Sequence, residues 1–267
     1  MGSSSAISLS DSRVTLAWSA LRQQDRTGLV PYLTAGFPTI AESADALRAA
    51  DEFADVIEVG VPFSDPLADG PTIQASTFRA LGNGMTLPRT LELIAKAQLR
   101  APVVLFTYLN PVLRYGVEQL LRDAAAIGVA GLLLTDLPSG ADPAIEQAVQ
   151  ESPLDLIRLV APTTQRERMQ RAVAGAEGFL YLIARLGVTG ASAAIATDLA
   201  ASIARVREVT TLPIAVGFGV STPAQARSVG ELADGVVIGS ALVDVLGRDG
   251  VPGVTRFLSQ IRTALDE

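Results

Sequence analysis

Two acidic residues stand where a globular chain rarely leaves them. Glu58 lies inside the apolar run ADVIEVGVP (54–62), and Asp69 follows in the Pro- and Gly-punctuated stretch SDPLADGP (64–71). In an extended strand Glu58 shares a face with Val56 and Gly60. Desolvation there moves a carboxyl toward the pKa range in which it can transfer protons. An acid paired with a core arginine for structural reasons is the plainer alternative, since acids are seldom fully buried without a partner or a role. Asp65 precedes Pro66 and Asp69 precedes Gly70, so each taken alone reads as a turn former. Their loop leaves the strand directly after Glu58, which lets one of them reach back toward the same ligand.

The elements that must position these acids repeat along the chain. Eight apolar, β-prone runs occur at fairly even intervals: 28–35, 54–62, 102–109, 130–136, 155–161, 178–184, 212–219 and 234–240. Most are continuously apolar, as in parallel strands covered on both faces. Helix-like stretches rich in Ala, Leu, Arg and Glu separate them, for example 42–53, 117–128 and 222–233. Eight β-then-α units in 267 residues predict one (β/α)8 barrel with right-handed crossovers rather than an open sheet. An amphipathic segment at 11–24 adds an extra N-terminal helix, residues 1–10 are expected to be a flexible N-terminal segment, and 11–267 form the catalytic domain. Two connections carry long inserts, 62–84 before the helix of the second unit and 185–194 after the sixth strand. Both rise from the C-terminal rim, where barrels build their active sites.

Glycines gather on the same rim. GVTG (187–190) follows the sixth strand, GFG (217–219) ends the seventh and IGS (238–240) ends the eighth. Glycine lets backbone N–H groups approach an anion closely, and barrels commonly hold a phosphate after strands seven and eight. Tyr32, Phe106, Tyr108, Leu133, Tyr181 and Phe218 also fall at strand ends, where together they could shape a flat apolar pocket. The predicted ligand is a phosphorylated metabolite with an aromatic part.

Composition narrows the chemistry further. A net charge of −7 without a basic block argues against nucleic acid. No long apolar run predicts a membrane span, and the Ser-rich start lacks the order of a signal peptide, so a cytoplasmic location is expected. The chain has no cysteine and no histidine, which removes thiol chemistry, the commonest general base and the commonest metal ligands. No metal is expected, although carboxylate-only magnesium sites stay open. Lys96, the only lysine, lies in the helical stretch LELIAKAQL, far from a strand end where a Schiff base would form. If a carbon–carbon bond is broken, the substrate must then supply its own electron sink, and an electron-rich ring protonated at carbon is such a sink.

These residues resemble a known family. IEVGVPFSDPLADGPTIQAS (57–76), with VPYLTAGFPT (30–39), GVTG, GFGVS and GSALV (239–243), is similar to the tryptophan synthase alpha chains over nearly the whole length. The resemblance implies a cofactor-free retro-aldol cleavage of indole-3-glycerol phosphate to indole and glyceraldehyde 3-phosphate. It implies Glu58 as principal acid/base at the indole C3 carbon and Asp69 as the carboxylate beside the indole N–H, with Thr189 holding that aspartate when a flap closes. Gly190, Gly217, Phe218, Gly219, Gly239 and Ser240 match phosphate-binding positions, and Tyr32, Phe106, Tyr108, Leu133, Thr135 and Tyr181 match the indole pocket. It further implies an α2β2 complex with a beta subunit that holds pyridoxal phosphate, contacted around Pro62, Asp65 and Asn110. Phe37, Leu186 and Thr135 depart from the pattern, Thr135 standing where a small apolar residue is expected. A stand-alone lyase that releases free indole, a silent barrel that only activates its partner, and a sugar-phosphate isomerase are the rival readings.

Overall fold

Eight parallel strands close on themselves. In a computed structural model that describes residues 12–162, 164–183, 193–217 and 219–267, they are β1 (Gly28–Thr34), β2 (Ile57–Gly60), β3 (Val103–Thr107), β4 (Val129–Leu134), β5 (Asp155–Val160), β6 (Leu180–Ile183), β7 (Ile214–Gly217) and β8 (Gly235–Ile238). Each pairs with its sequence neighbours, and β8 returns to β1 with Gly28 beside Gly235 and Pro31 beside Ile238. The helices of the described residues are α1 (Arg13–Gln23), α2 (Ile40–Asp51), α3 (Pro71–Gly82), α4 (Leu87–Ala97), α5 (Leu109–Tyr115), α6 (Val117–Ala126), α7 (Pro143–Gln150), α8 (Arg166–Val173), α9 (Ala193–Arg207), α10 (Pro223–Gly230) and α11 (Ser240–Asp266). This is the expected TIM barrel with a helix ahead of its first strand.

Strand periodicity divides the core into two layers. Val30, Val56, Val104, Leu133, Ile157 and Val237 point into the barrel, while Leu29, Leu33, Ile57, Val59, Leu105 and Leu132 pack outward against the helices. The inner layer is closed at its N-terminal end by α1. Trp18 lies over the starts of β1 and β8, where an added Cβ on Gly28 or Gly235 would fall 2.7 or 2.4 Å from its ring. Glycine at these two positions is what admits the indole. Ser12 caps α1 by accepting from the Thr15 amide at 3.1 Å, and both Ser12 and Thr15 donate to the Asp155 carboxylate at the start of β5. The plug is thereby tied to the wall.

The insert of the second unit is more ordered than its composition suggests. Residues 71–82, expected to be loop, form α3, with Pro71 in its first turn and Gly70 as N-cap. Proline there has no N–H to lose from the helical ladder and its fixed φ suits the helix, so Pro and Gly mark a helix start instead of a longer turn. The third connection similarly holds α5, and the run 102–109 stops as strand at Thr107. The last helix is broken at Gly250, which takes φ +64 two residues before Pro252. Residues 1–10 and 185–192 of the predicted N-terminal segment and sixth insert lie outside the described residues.

Candidate active site

Glu58 sits in β2 opposite Tyr32 of β1 and Val104 of β3. It is fully buried, and among the described residues neither carboxyl oxygen has a hydrogen-bond partner. Among the described residues no arginine pairs with it. Burial pushes its pKa up to about 8, and the group rests protonated at neutral pH. An uncharged carboxylic acid is the form that can remain in such a place, because an isolated carboxylate would carry a large desolvation cost.

Asp69 arrives from the loop between β2 and α3 and is half-buried. Burial raises its pKa to about 6, opposed by a hydrogen bond from Tyr108. Near neutral pH the two carboxyls thus occupy different protonation states, one acid and one carboxylate, set by their surroundings. The loop is strapped from within. The Leu67 amide donates to the Asp65 carbonyl at 2.9 Å and the Asp69 amide to the Pro66 carbonyl at 3.1 Å. The Gln74 side chain in the first turns of α3 donates to the Asp69 carbonyl at 2.9 Å. Gln74 was not singled out in the sequence, although its place after Pro71 puts it on the turn of helix facing that loop.

Aromatic residues wall the mouth. Tyr32 and Phe106 meet edge to face with centroids 5.2 Å apart, and Phe63 lies 5.2 Å from Tyr108. Leu133 and Tyr181 are buried in the inner layer. Tyr32 and Tyr181 are both held far from ionisation, first by burial and then by the neighbouring carboxyls Glu58 and Asp69. Two strand-end glycines make room for these rings. A Cβ on Gly60 would fall 2.0 Å from the Tyr32 hydroxyl oxygen, and one on Gly217 would fall 2.3 Å from that of Tyr181. Gly217 therefore has a packing reason to be glycine that the sequence reading did not include. Thr135 is half-buried just past β4, and Leu159 and Ile183, not anticipated, pack against the inner layer beside it.

The remaining glycines lie across the mouth. Gly219 takes φ +97 after β7, a conformation side chains resist, and Gly239 precedes Ser240 at the N-terminus of α11. A Cβ on Gly239 would come 3.9 Å from Cβ of Tyr32, so this helix start borders the aromatic wall. The first-turn amides of a helix lack internal acceptors and favour an anion. Thr189, Gly190 and Phe218 lie outside the described residues. Asp65 and Asn110 are exposed on the rim whereas Pro62 is buried within the chain. Lys96 is on α4 with its side chain 77% exposed and 3.8 Å from Glu92, well away from the mouth.

A closed (β/α)8 barrel with a protonated carboxyl inside its C-terminal mouth, a second carboxyl on the adjoining loop and a helix N-terminus on the far side defines a barrel enzyme of acid–base type. The comparisons with known proteins supply the family. Residues 18–261 match the family model for the tryptophan synthase alpha chain. The chain is 45% identical over 241 residues to the tryptophan synthase alpha chain of Gloeobacter violaceus, covering 89% of this chain and 87% of that one. Its structure is similar to tryptophan synthase of Mycobacterium tuberculosis, with a TM-score of 0.87 and 38% identity over 96% of this chain and 98% of the other. It is equally close in fold to the alpha subunit from Legionella pneumophila, with a TM-score of 0.87 at 32% identity. The chain belongs to the tryptophan synthase alpha chain family, and the lyase activity of tryptophan biosynthesis is its function.

Proposed function

We propose that Glu58 and Asp69 together cleave indole-3-glycerol phosphate to indole and glyceraldehyde 3-phosphate. The observation that carries this reading is the fully buried, partnerless Glu58 carboxyl held protonated by its surroundings. Protonated Glu58 gives its proton to C3 of the indole ring. The ring becomes an indoleninium cation, and the Asp69 carboxylate, accepting a hydrogen bond from the ring N–H, offsets the charge that develops there. Because that charge is greater in the transition state than in bound substrate, the contact lowers the barrier. Glu58, now a carboxylate, takes the proton of the glycerol hydroxyl next to the ring. The C–C bond then breaks, its electron pair returns to the ring, and the hydroxyl carbon leaves as an aldehyde. The proton lent to the ring is thus replaced, and Glu58 ends as it began.

Tyr32, Phe106, Tyr108, Leu133, Thr135 and Tyr181 would enclose the indole. The main chain at Gly217, Phe218, Gly219 and Gly190, with Gly239 and Ser240 at the start of α11, would hold the phosphate, and Thr189 would steady Asp69. This chain carries no cofactor of its own in the proposal. Its partner is a tryptophan synthase beta subunit, holding pyridoxal phosphate, in an α2β2 complex in the cytoplasm. Asp65 and Asn110 at the rim, above the buried Pro62, fit such a contact. Two exposed apolar side chains lie close to them in sequence, Leu67 (84% exposed) two residues after Asp65 and Leu113 (55%) three after Asn110. Among the described residues no helix is long and apolar enough to cross a membrane. Indole release from indole-3-glycerol phosphate by wild type and Glu58→Gln, with and without beta subunit, tests the reading. Robust release by the variant would remove Glu58 from its role.

A further inference from the structure

The loop that carries Asp69 is held through its main chain from two sides. The Leu67 and Asp69 amides bond within the loop, to the Asp65 and Pro66 carbonyls. The Ala68 amide donates to the Tyr108 hydroxyl at 3.0 Å, just past β3. From the other side the Gln74 side chain reaches back over the start of α3. Its Nε2 donates to the Asp69 carbonyl at 2.9 Å and, more weakly, to the Pro66 carbonyl at 3.4 Å. A carboxamide nitrogen has two hydrogens, one for each carbonyl. The Asp69 main chain is therefore fixed at both its amide and its carbonyl, which sets the direction in which its side chain leaves the loop.

Gln74 can act as a tie because α3 is itself anchored. Ile73 is buried against Tyr32 and Val243, and Ser76 shares a hydrogen bond of 2.7 Å with the Thr34 hydroxyl of β1. The Gln74 amide closes the first turn of the helix on the Gly70 carbonyl at 2.9 Å. Glycine at that N-cap has no side chain to offer, so the grip on the loop comes from one turn inside the helix. The loop itself has little packing to hold it, since Asp65, Leu67 and Ala68 are all exposed. Rate depends steeply on a catalytic group being held in its productive geometry.

We propose that Gln74 is a positioning residue, fixing the Asp69 main chain so that the carboxyl is aimed into the barrel mouth before substrate arrives. The inference rests on the catalytic reading of Asp69 given above. Gln74 acts here through Asp69 alone, from the platform that α3 makes with β1.

The test is steady-state indole release from indole-3-glycerol phosphate by the full chain carrying Gln74→Met or Gln74→Asn, each on the wild-type and Asp69→Asn backgrounds. Methionine keeps the length of the side chain and loses both donors, and asparagine keeps the amide on a side chain one carbon shorter. Loss of two neutral hydrogen bonds predicts that Gln74→Met lowers kcat about 5- to 30-fold. KM should change by less than about 3-fold, because the Asp69 contact strengthens in the transition state. Gln74→Asn should lose a similar factor, and it carries the test if the methionine variant does not fold. On the Asp69→Asn background neither substitution should cost more than about 2-fold further, since its effect passes through the missing carboxylate. The inference is overturned if a folded variant keeps the wild-type kcat, if the loss appears in KM alone, or if the same factor is lost on both backgrounds, which would mark a general role in the fold. A wild-type chain that releases no indole would instead overturn the lyase reading itself.

Discussion

The two ends of this barrel treat their acids in opposite ways. At the N-terminal rim, acids that precede a strand clip the strand before it: Asp55 accepts from the Leu29 amide at 2.8 Å, Glu177 from Leu156 at 3.2 Å and Asp234 from Ile214 at 2.8 Å. Asp55 and Asp234 are also paired with Arg262 and Arg207 at 3.0 and 3.2 Å. Three residues beyond Asp55, Glu58 has none of this. Burial pushes both carboxyls up, but at Asp55 the Leu29 amide, Arg262 and Arg26 oppose the push, and at Glu58 nothing does. One strand thus has a hydrogen-bonded acid just before its start and, within it, an unpartnered one that is the proposed proton donor. What separates them is whether the fold supplies a donor.

The largest effect expected from this contrast is on rate. Glu58→Gln keeps the shape but cannot donate a carboxylic proton, and should lower kcat for indole release by about 1,000-fold or more, while Asp55→Asn should leave it within about 2-fold. Comparable losses from both substitutions would erase the distinction. Asp69→Asn should follow with a loss of about 100- to 1,000-fold, the scale of removing one transition-state contact.

Stability should respond in the reverse order. Asp55→Asn removes one of the two carboxylates on the half-buried Arg262, which keeps Asp266 at 2.7 Å, and is expected to cost about 1–3 kcal/mol, read as a lower urea midpoint. For Glu58 the sign depends on pH. Its carboxyl binds its proton more tightly folded than unfolded, so the folded state holds the extra proton between the ordinary 4.5 and about 8. Unfolding free energy therefore falls as pH rises through that window. The loss is on the order of 5 kcal/mol by pH 8 if the group is wholly desolvated. Glu58→Gln should abolish this slope, making the variant more stable than wild type at pH 8.5 and little different at pH 4.5. Parallel pH dependences in urea titrations would mean that Glu58 ionises normally.

The smallest expected effect lies in the pH dependence of turnover. The proposed mechanism needs Asp69 ionised and Glu58 protonated, which predicts a bell rising with a midpoint near 6 and falling near 8. A profile flat across that range would break the assignment of opposite protonation states.

Much of this was legible in the sequence, for identifiable reasons. Parallel strands covered on both faces leave long apolar runs, so all eight were visible, and an acid interrupting one of them marked Glu58. The acids at the foot of the strands were not, because Glu177 and Asp234 beside Gly read as turn formers, and Asp55 as the polar edge of an apolar run, until the neighbouring strand's amide is in view. Helix α3 was hidden for a similar reason, Pro71 and Gly70 being signals for a turn and for a helix start alike. Gly217 was assigned to an anion on the strength of its place, whereas the ring of Tyr181 that occupies its missing side chain comes from the adjacent strand β6. Pairing across strands is long-range information that spacing along the chain does not contain.

The resting state of Glu58 is the point on which the rest turns, and a carbon-13 NMR titration of its carboxyl, assigned by comparison with Glu58→Gln, measures it directly. The expected result is a midpoint close to 8, with the group protonated throughout the neutral range. A midpoint near the ordinary 4.5 would show a carboxylate at neutral pH and contradict its role as the acid that protonates the ring.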